Sequence, residues 1–194
     1  MRVVLLSGGM DSALMLHHVV DTTDQETVIA LSFDYGQAHC ERELKAASLI
    51  AERAQVFHGT LNLKGAIASP RKPGEVVPAR NLALISAAAN WAHLAGGGSI
   101  YVGMCKEDDA GFPDCRPEFI SAVNRTLSIC ELDVKVCAPW VHKTKKQAIA
   151  LMRSNPKAME SLKDSYSCYR GVEPCGSCGA CLHRDRAFKE AGLC

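Results

Sequence analysis

The 194-residue sequence lacks a long apolar run, since no stretch approaches the roughly 20 residues that a membrane-spanning helix needs. It also lacks an excess of charge of either sign, because 22 basic residues stand against 21 acidic ones and the formal net charge is +1. A surface that coats nucleic acid would need a basic excess. We therefore expect no membrane segment and no direct nucleic-acid contact, and the 47% hydrophobic content predicts a globular domain.

The N-terminus lacks a secretory leader pattern, because Met1-Arg2 precedes only a short apolar run that Gly8-Gly9 interrupts. This favours a first β-strand in a cytoplasmic protein. Ten cysteines would suggest disulfides in an exported chain. Without an export signal, reduced thiols and one metal site are the better interpretation.

Strand-like apolar runs alternate with helix-period segments, which predicts a Rossmann-like α/β fold with a parallel sheet covered by helices on both faces. The predicted strands are 3–6, 27–33, 55–58, 99–102 and 133–137. The predicted helices follow the first glycine turn and span 41–53, 81–94, 118–132 and 144 to about 153. Glycine and proline predict a loop over 60–78, and Asn155-Pro156 is interpreted as a helix break.

Ligands of such sheets bind at the carboxyl ends of the strands, which directs attention to the loop Ser7-Gly8-Gly9-Met10-Asp11-Ser12. Glycines let the backbone approach a ligand, and free N–H groups at a helix N-terminus attract phosphate oxygens. The hydroxyls of Ser7 and Ser12 can donate to the same oxygens, whereas Asp11 must act through Mg²⁺ or as a helix cap. The alternative is a capped turn without a ligand, but the complete pattern favours nucleotide binding.

Four cysteines near the C-terminus have the spacing of metal ligands: Cys168, Cys175, Cys178 and Cys181. Tetrahedral Zn²⁺ takes four thiolates, and a closed set of four leaves no position for a catalytic water. The spacing therefore predicts a structural zinc ion within a C-terminal segment, residues 166–194, packed on an ATP-binding domain of residues 1–165. An iron–sulfur cluster, a redox pair and ordinary buried cysteines are the alternatives.

The first loop resembles the PP-loop of ATP pyrophosphatases, which implies an adenine nucleotide alpha-hydrolase-like fold and attack at the α-phosphate of ATP. Further strings resemble the 7-cyano-7-deazaguanine (preQ0) synthase family of queuosine biosynthesis. They are Phe33-Asp34-Tyr35-Gly36-Gln37 with His39, Val77-Pro78-Ala79-Arg80-Asn81, Gly111-Phe112-Pro113-Asp114-Cys115-Arg116-Pro117-Glu118-Phe119, Ser167-Cys168-Tyr169 and the last cysteine motif. The sequence departs from the family pattern at Ala79, where Gly is usual, at Asp109, where an aromatic residue is usual, and at Phe112, where Tyr is more frequent.

The resemblance implies a ligase that converts 7-carboxy-7-deazaguanine and ammonia to 7-cyano-7-deazaguanine through an adenylated acid and an adenylated amide. It implies ATP, Mg²⁺ and Zn²⁺ as cofactors, small molecules as partners, and a homodimer. A variant that stops at the amide, a variant that uses another acceptor, a tRNA thiolase and a non-catalytic zinc-ribbon adaptor are the alternative functions.

Site residues follow from the same resemblance. The predicted nucleotide contacts are Leu6, Ser7, Gly8, Gly9, Met10, Asp11, Ser12, Ala13, Leu14, Met15 and Leu16. The predicted catalytic residues are Ser7, Asp11, Ser12, Arg80 and Lys145. The predicted substrate contacts are Asp34, Tyr35, Gln37, His39, Arg80, Asn81, Phe112 and Asp114.

Each of these assignments has a plainer alternative. Arg80 could form a surface ion pair and Lys145 could be solvated at a helix start. Tyr35 and Phe112 could be ordinary core residues, and His39 could be hydrogen-bonded structure instead of a base. We expect Cys105 and Cys115 to be structural, because the nitrile-forming reaction needs no sulfur chemistry.

Overall fold

The structure is a computed structural model of the whole chain that describes residues 1–68, 70, 72, 75–109, 111–170 and 173–193, with the side chain of residue 109 left out. Five parallel strands form one sheet in the order β3-β2-β1-β4-β5. The strands are β1 (Arg2–Leu5), β2 (Val28–Asp34), β3 (Phe57–Asn62), β4 (Gly98–Tyr101) and β5 (Val134–Cys137). The predicted fold class, a parallel sheet with helices on both faces, is confirmed.

Helices of the described chain connect these strands or follow the last of them, and together they cover both faces of the sheet. They are α1 (Met10–Thr22), α2 (Cys40–Ala54), α3 (Arg80–Leu94), α4 (Lys106–Asp109), α5 (Pro117–Ile129), α6 (Lys145–Met152), α7 (Pro156–Asp164) and α8 (Gly179–Glu190). None of the helices in the described part of the chain has the length and hydropathy that a bilayer crossing requires.

The alternation of side chains along the strands places one hydrophobic core on each face of the sheet. Val3 and Val4 are neighbours in β1, and both are fully buried because successive side chains point to opposite faces. Val4 joins a core with α1, α2, α6, α7 and α8, whereas Val3 joins a core with α3 and α5. Both faces are therefore closed, and the carboxyl edge of the sheet is left for a ligand.

Two predictions about local structure were wrong. The third strand ends at Asn62 instead of His58, because parallel pairing with β2 continues from Ile29 opposite Phe57 to Asp34 opposite Asn62. Asn155-Pro156 begins α7 instead of only ending α6: the Asn155 side chain accepts from the Ala158 N–H at 2.9 Å, and proline fits the first turn of a helix. The predicted loop 60–78 therefore starts later, and its residues 69, 71, 73 and 74 lie outside the described residues.

The helix start predicted at Thr144 is confirmed. The Thr144 hydroxyl accepts from the Gln147 N–H at 3.2 Å, and the Gln147 side chain accepts from the Thr144 N–H at 2.9 Å. This reciprocal capping box satisfies two amides that a helix start leaves without intrahelical partners. It fixes the first turn of α6, where the side chain of Lys145 turns inward and is buried.

Candidate active site

A cavity of about 650 Å³ opens at the carboxyl edge of the sheet. The sheet order changes direction between β1 and β4, and the loops that follow these two strands meet at the cavity. The cavity is also bounded by the start of α2, the start of α3 and the segment around the cysteines. Of the predicted site residues, it is lined by Leu6, Ser7, Gly9, Met10, Asp11, Ser12, Tyr35, Gln37, Arg80, Asn81, Phe112 and Lys145.

The loop between β1 and α1 is held by its two serines. The hydroxyls of Ser7 and Ser12 lie 3.1 Å apart, and the Ser12 hydroxyl donates to the Gly9 carbonyl at 3.0 Å. Gly9 is the N-cap of α1, and no side chain caps the helix there. Since the first amides of a helix have no intrahelical acceptor, this loop presents N–H groups and hydroxyls together, the donor set that phosphate oxygens accept from.

Gly8 lies where the loop passes closest to α2. Its φ is +78°, and a Cβ there would lie 2.4 Å from the backbone oxygen of Glu43. The Gly8 carbonyl also accepts from the Tyr166 N–H at 2.8 Å. The loop is thus fixed by backbone contacts to α2 on one side and to the segment before Cys168 on the other.

Lys145 lies at the cavity and is buried, so the alternative of a solvated lysine is wrong. Its ammonium nitrogen lies 2.7 Å from Asp11 Oδ2 and 2.9 Å from Asp108 Oδ1. Burial disfavours the charged amine, but the two carboxylates outweigh that cost and raise the pKa of Lys145 above its usual range. Burial raises the pKa of Asp11, and Lys145 opposes that rise. The cation therefore holds two carboxylates beside the phosphate-type loop.

The thiols near the cavity are protonated. Burial and the neighbouring carboxylates raise the pKa of Cys105, and burial raises the pKa of Cys115 to about 12. Cys105 Sγ lies 3.6 Å from Asp11 Oδ1, and Cys115 Sγ lies 3.7 Å from Asn81 Nδ2. Because the thiolate is the reactive form of cysteine, this environment favours structural roles for both residues.

Arg80, the first residue of α3, reaches the other side of the cavity. Its guanidinium approaches the Tyr35 hydroxyl and the Asn81 side-chain oxygen, both at 3.5 Å. Among the described residues it forms no ion pair, so the alternative of a surface ion pair is wrong. A cation without a carboxylate partner in a cavity is suited to bind an anionic ligand.

Gln37 and Glu43 form a connected pair at the start of α2. The Gln37 side-chain oxygen accepts from the Tyr35 N–H at 3.0 Å, and its nitrogen donates to the Phe33 carbonyl at 3.1 Å and to Glu43 Oε2 at 3.0 Å. His39 Nε2 lies 3.3 Å from Glu43 Oε1. The carboxylate of Glu43 lines the cavity and organises the loop after β2.

Several predicted contacts lie away from the cavity wall. Asp34 is paired with Lys64 at 2.7 Å, and neither Asp34, His39 nor Asp114 lines the cavity. Gly8 packs behind the loop, and the remaining predicted nucleotide contacts are fully buried in the core: Ala13, Leu14, Met15 and Leu16. The side chains of these four residues support α1 from inside and do not face the cavity.

The sequence interpretation missed several cavity residues: Glu43, Glu107, Asp108, Ser167, Tyr169, His183 and Arg184. Glu107 and Asp108 follow β4 at the carboxyl edge of the sheet, but nothing in their spacing along the sequence singled them out. Glu43 could have been found from its place in the first turn of α2, three residues after the start of a helix that follows a strand end. The others depend on how the cysteine segment folds back.

The four predicted metal ligands do come together. The sulfur atoms of Cys168, Cys175, Cys178 and Cys181 all lie within 4.8 Å of one another, a set that could hold a metal ion. Backbone N–H groups point at these sulfurs, including Cys178 N–H to Cys175 Sγ at 3.3 Å. Hydrogen bonds from the Ser177 backbone and hydroxyl help lower the pKa of Cys175 to about 6, which favours the thiolate. The donor set fits a soft, tetrahedral ion.

The two sequence-based comparisons with known proteins agree on one family. The family model described as "Queuosine biosynthesis protein QueC" matches residues 1–70 and 64–192. The chain belongs to the QueC family. A 7-cyano-7-deazaguanine synthase of Clostridium kluyveri is 33% identical over 216 residues, covering 98% of this chain and 93% of the relative. One from Laribacter hongkongensis is 34% identical over 212 residues, covering 98% and 91%. The resemblance inferred from the motifs is confirmed.

The fold comparison gives a more distant likeness. The U34-tRNA thiolase NcsA from Methanococcus maripaludis, solved with its [4Fe-4S] cluster, matches with a TM-score of 0.58 and 16% identity. The match covers 97% of this chain but only 64% of the thiolase chain. The QueC-family chain therefore shares the fold of that enzyme.

Proposed function

We propose that this QueC-family chain converts 7-carboxy-7-deazaguanine and ammonia to 7-cyano-7-deazaguanine at the expense of two ATP molecules. The observation that carries the proposal is one cavity that joins a phosphate-type loop to an aromatic pocket. That pocket contains Arg80, which has no ion-pair partner among the residues that the structure describes. The synthases of Clostridium kluyveri and Laribacter hongkongensis carry the same activity in their names.

In the first half-reaction, a carboxylate oxygen of the substrate attacks the α-phosphorus of ATP, and pyrophosphate leaves. Ammonia then adds to the acyl carbon, loses a proton, and AMP departs with that oxygen to leave the amide. A carboxylate is a poor electrophile until its oxygen leaves as AMP, which explains the need for ATP. The enclosed cavity protects the acyl adenylate from water.

In the second half-reaction, the amide oxygen attacks another ATP and again releases pyrophosphate. Loss of AMP and of the remaining nitrogen-bound protons then leaves the carbon–nitrogen triple bond. The same phosphate contacts serve both halves, because both attacks occur at the α-phosphorus. The use of the same contacts in both half-reactions is consistent with one cavity that contains one phosphate-type loop.

We assign the residues to this chemistry as follows. The amides at the start of α1 and the hydroxyls of Ser7 and Ser12 would bind the phosphates. Arg80 would stabilise the negative charge at the α-phosphate and the reacting carboxylate. Asp11 would hold the Mg²⁺ that accompanies ATP, and that ion would neutralise phosphate charge. Lys145 would keep Asp11 in place, and a phosphate contact would require its ammonium to exchange partners.

Tyr35 and Phe112 would stack against the deazaguanine ring, with Gln37 and Asn81 supporting the pocket wall. The tetrathiolate cluster would hold a structural Zn²⁺, and residues 166–194 would form a metal-binding extension of the domain formed by residues 1–165. Packing of Ala187 into the core that contains α1 supports this assignment. The homodimer stays a prediction, which sedimentation equilibrium can test.

The proposal is tested by incubating the purified protein with 7-carboxy-7-deazaguanine, Mg·ATP and ammonium, and by following products by mass spectrometry. We expect AMP, pyrophosphate and a nitrile that is lighter than the amide by one water molecule. Accumulation of amide alone would indicate the shorter reaction. If no AMP forms, the proposed function is wrong. The protonated state of Cys105 and Cys115 disfavours the thiolase alternative.

A further inference from the structure

We propose that Glu43 recognises the guanine-type edge of the substrate. The Glu43 carboxylate would accept hydrogen bonds from the ring N–H and from the 2-amino group of the substrate. The inference rests on the proposed function and assigns a specificity role within the same cavity. Asp114, a carboxylate among the predicted substrate contacts, does not line the cavity, whereas Glu43 does.

The other carboxylates of the cavity are engaged by Lys145. Asp11 and Asp108 bond to its ammonium group, at 2.7 and 2.9 Å. Both oxygens of Glu107 accept from the Lys145 backbone N–H, at 3.0 and 3.1 Å. These three acids therefore belong to the side of the cavity that holds the β1–α1 loop. In the described part of the chain, Glu43 is the lining carboxylate that has neither a hydrogen bond to Lys145 nor an ion pair with a lysine or arginine side chain.

The geometry around Glu43 fixes its carboxylate as an acceptor. Both side-chain N–H groups of Gln37 are used, one on the Phe33 carbonyl and one on Glu43 Oε2. Nε2 of His39 lies 3.3 Å from Glu43 Oε1, and because a carboxylate oxygen only accepts, a hydrogen bond between them has the ring Nε2–H as its donor. A carboxylate offers about four lone-pair positions, so two donors leave room for two more.

The substrate supplies two donors of matching geometry. A guanine-type ring carries an N–H and an adjacent amino group on one edge, and a carboxylate can accept from both in parallel. Tyr35 and Tyr169 also line the cavity, and each contacts a neighbour of Glu43: the Tyr35 N–H donates to Gln37, and the Tyr169 ring lies 5.8 Å from the His39 ring. Their rings are suited to pack on the flat heterocycle. An adenine-type ring offers an acceptor where guanine has its N–H, so Glu43 would repel it.

The competing explanation is that Glu43 only fastens the loop after β2 through Gln37 and His39. The two explanations differ in one measurable respect: only direct recognition makes the effect of Glu43 depend on the 2-amino group of the ligand. The test therefore uses Glu43→Gln, Glu43→Asp and wild type, each with 7-carboxy-7-deazaguanine and with its analogue lacking the 2-amino group. Glu41→Gln is the matched control, since Glu41 is exposed in the same helical turn and does not line the cavity.

We expect wild type to prefer the amino-bearing substrate by about 10- to 100-fold in kcat/KM, because hydrogen bonds to a charged group are worth that much. Glu43→Gln should lose most of this preference, while its KM for ATP changes by less than about threefold. Glu43→Asp should keep a reduced preference. Glu41→Gln should match wild type. Calorimetry with 7-cyano-7-deazaguanine and its desamino analogue should give the same ratios without turnover.

Two failures can be told apart. If wild type forms no nitrile, the proposed function itself is wrong. If wild type forms the nitrile and Glu43→Gln loses activity equally on both substrates, keeping the wild-type preference, then Glu43 is only a loop anchor and the inference is overturned. Unfolding curves of the variants separate a local effect from a failure to fold.

Discussion

The cavity has two walls that are built differently. The loop wall comprises Leu6, Ser7, Gly9–Ser12 and Lys145, with Gly8 packed behind it, and the aromatic wall comprises Tyr35, Glu43, Arg80, Phe112 and Tyr169. The loop wall is local: one strand, one turn and one helix start set its form, with Lys145 added from α6. The aromatic wall collects side chains from segments that are far apart in the sequence. One wall is fixed mainly by backbone and the other by tertiary packing.

This difference implies different failure modes. The loop wall should keep its structure when residues elsewhere in the chain are substituted. It should be disrupted when a side chain is added at a close backbone contact such as Gly8. The aromatic wall should respond to the cysteine cluster, because Tyr169 packs against that cluster and Ser167 and α8 flank it. Variants that affect one wall and spare the other test this division.

The largest effect is expected from losing the metal site. Cys178→Ser should abolish stoichiometric metal binding and lower nitrile formation by more than about 100-fold, because binding at a structural tetrathiolate contributes directly to folding free energy. Affinity for 7-cyano-7-deazaguanine should fall with it, whereas affinity for Mg·ATP should change by less than about tenfold. Metal analysis and calorimetry with each ligand make the comparison.

Cys130→Ser is the control for that experiment, since Cys130 is an exposed cysteine outside the cluster. It should keep full metal content and activity. Equal loss of nucleotide and deazaguanine affinity in Cys178→Ser would contradict the division into two walls, and would point instead to the Tyr166–Gly8 hydrogen bond as a rigid link between them.

Lys145→Met should cost about 3 kcal/mol of unfolding free energy near neutral pH, because it leaves Asp11 and Asp108 without their cation. The pKa of Asp11, already raised by burial, should rise further above its unfolded value. On acidification the folded variant then takes up a proton before the unfolded chain does, so the deficit shrinks as the pH falls from neutral toward the ordinary pKa of an aspartate. Urea unfolding at several pH values measures this. Lys146→Met, at an exposed neighbour, should show neither effect.

Gly8→Ala tests the backbone character of the loop wall. The new Cβ would meet the Glu43 carbonyl oxygen at 2.4 Å in a backbone with φ of +78°. We expect a loss of about 3 kcal/mol, the sum of left-handed strain and overpacking. Gly65→Ala is the matched control, because Gly65 has φ of +82° and open space around it. It should lose only about 1 kcal/mol. Equal losses in the two variants would mean that close approach contributes nothing.

The same division explains what could be predicted from the sequence. The loop wall could be predicted from six consecutive residues, Ser7–Ser12. A strand end, a glycine turn and a helix start are local features, and each is indicated by the residue types at its own positions. The metal-ligand set of four cysteines could be predicted for a similar reason, because their short separation in the sequence is what brings the four sulfur atoms together. The parallel sheet followed from alternating periods, although the end of β3 depended on pairing with β2 and was placed too early.

The aromatic wall could be predicted only in part. Tyr35, Arg80 and Phe112 were chosen from family strings, but Glu43 and Tyr169 were missed because their place in the cavity depends on packing between α2, α3 and the cysteine segment. Asp34 was chosen from the same kind of string and instead pairs with Lys64. A side chain near the carboxyl end of a strand can turn toward the cavity or away, and the sequence does not say which.

The smallest effect concerns the backbone that carries Arg80. Ala79 precedes α3 with φ of +55°, a region that costs a residue with a Cβ about 1 kcal/mol or more. Because glycine adopts this backbone region without that cost, Ala79→Gly should relieve strain. Part of the gain is offset because glycine makes the unfolded chain more flexible, and we expect a net stabilisation of about 0.5–1 kcal/mol.

Ala83→Gly, inside α3, should instead destabilise by about 1 kcal/mol. If both variants lose stability alike, the Ala79 backbone is unstrained. Opposite signs would show that this chain tolerates backbone strain beside Arg80.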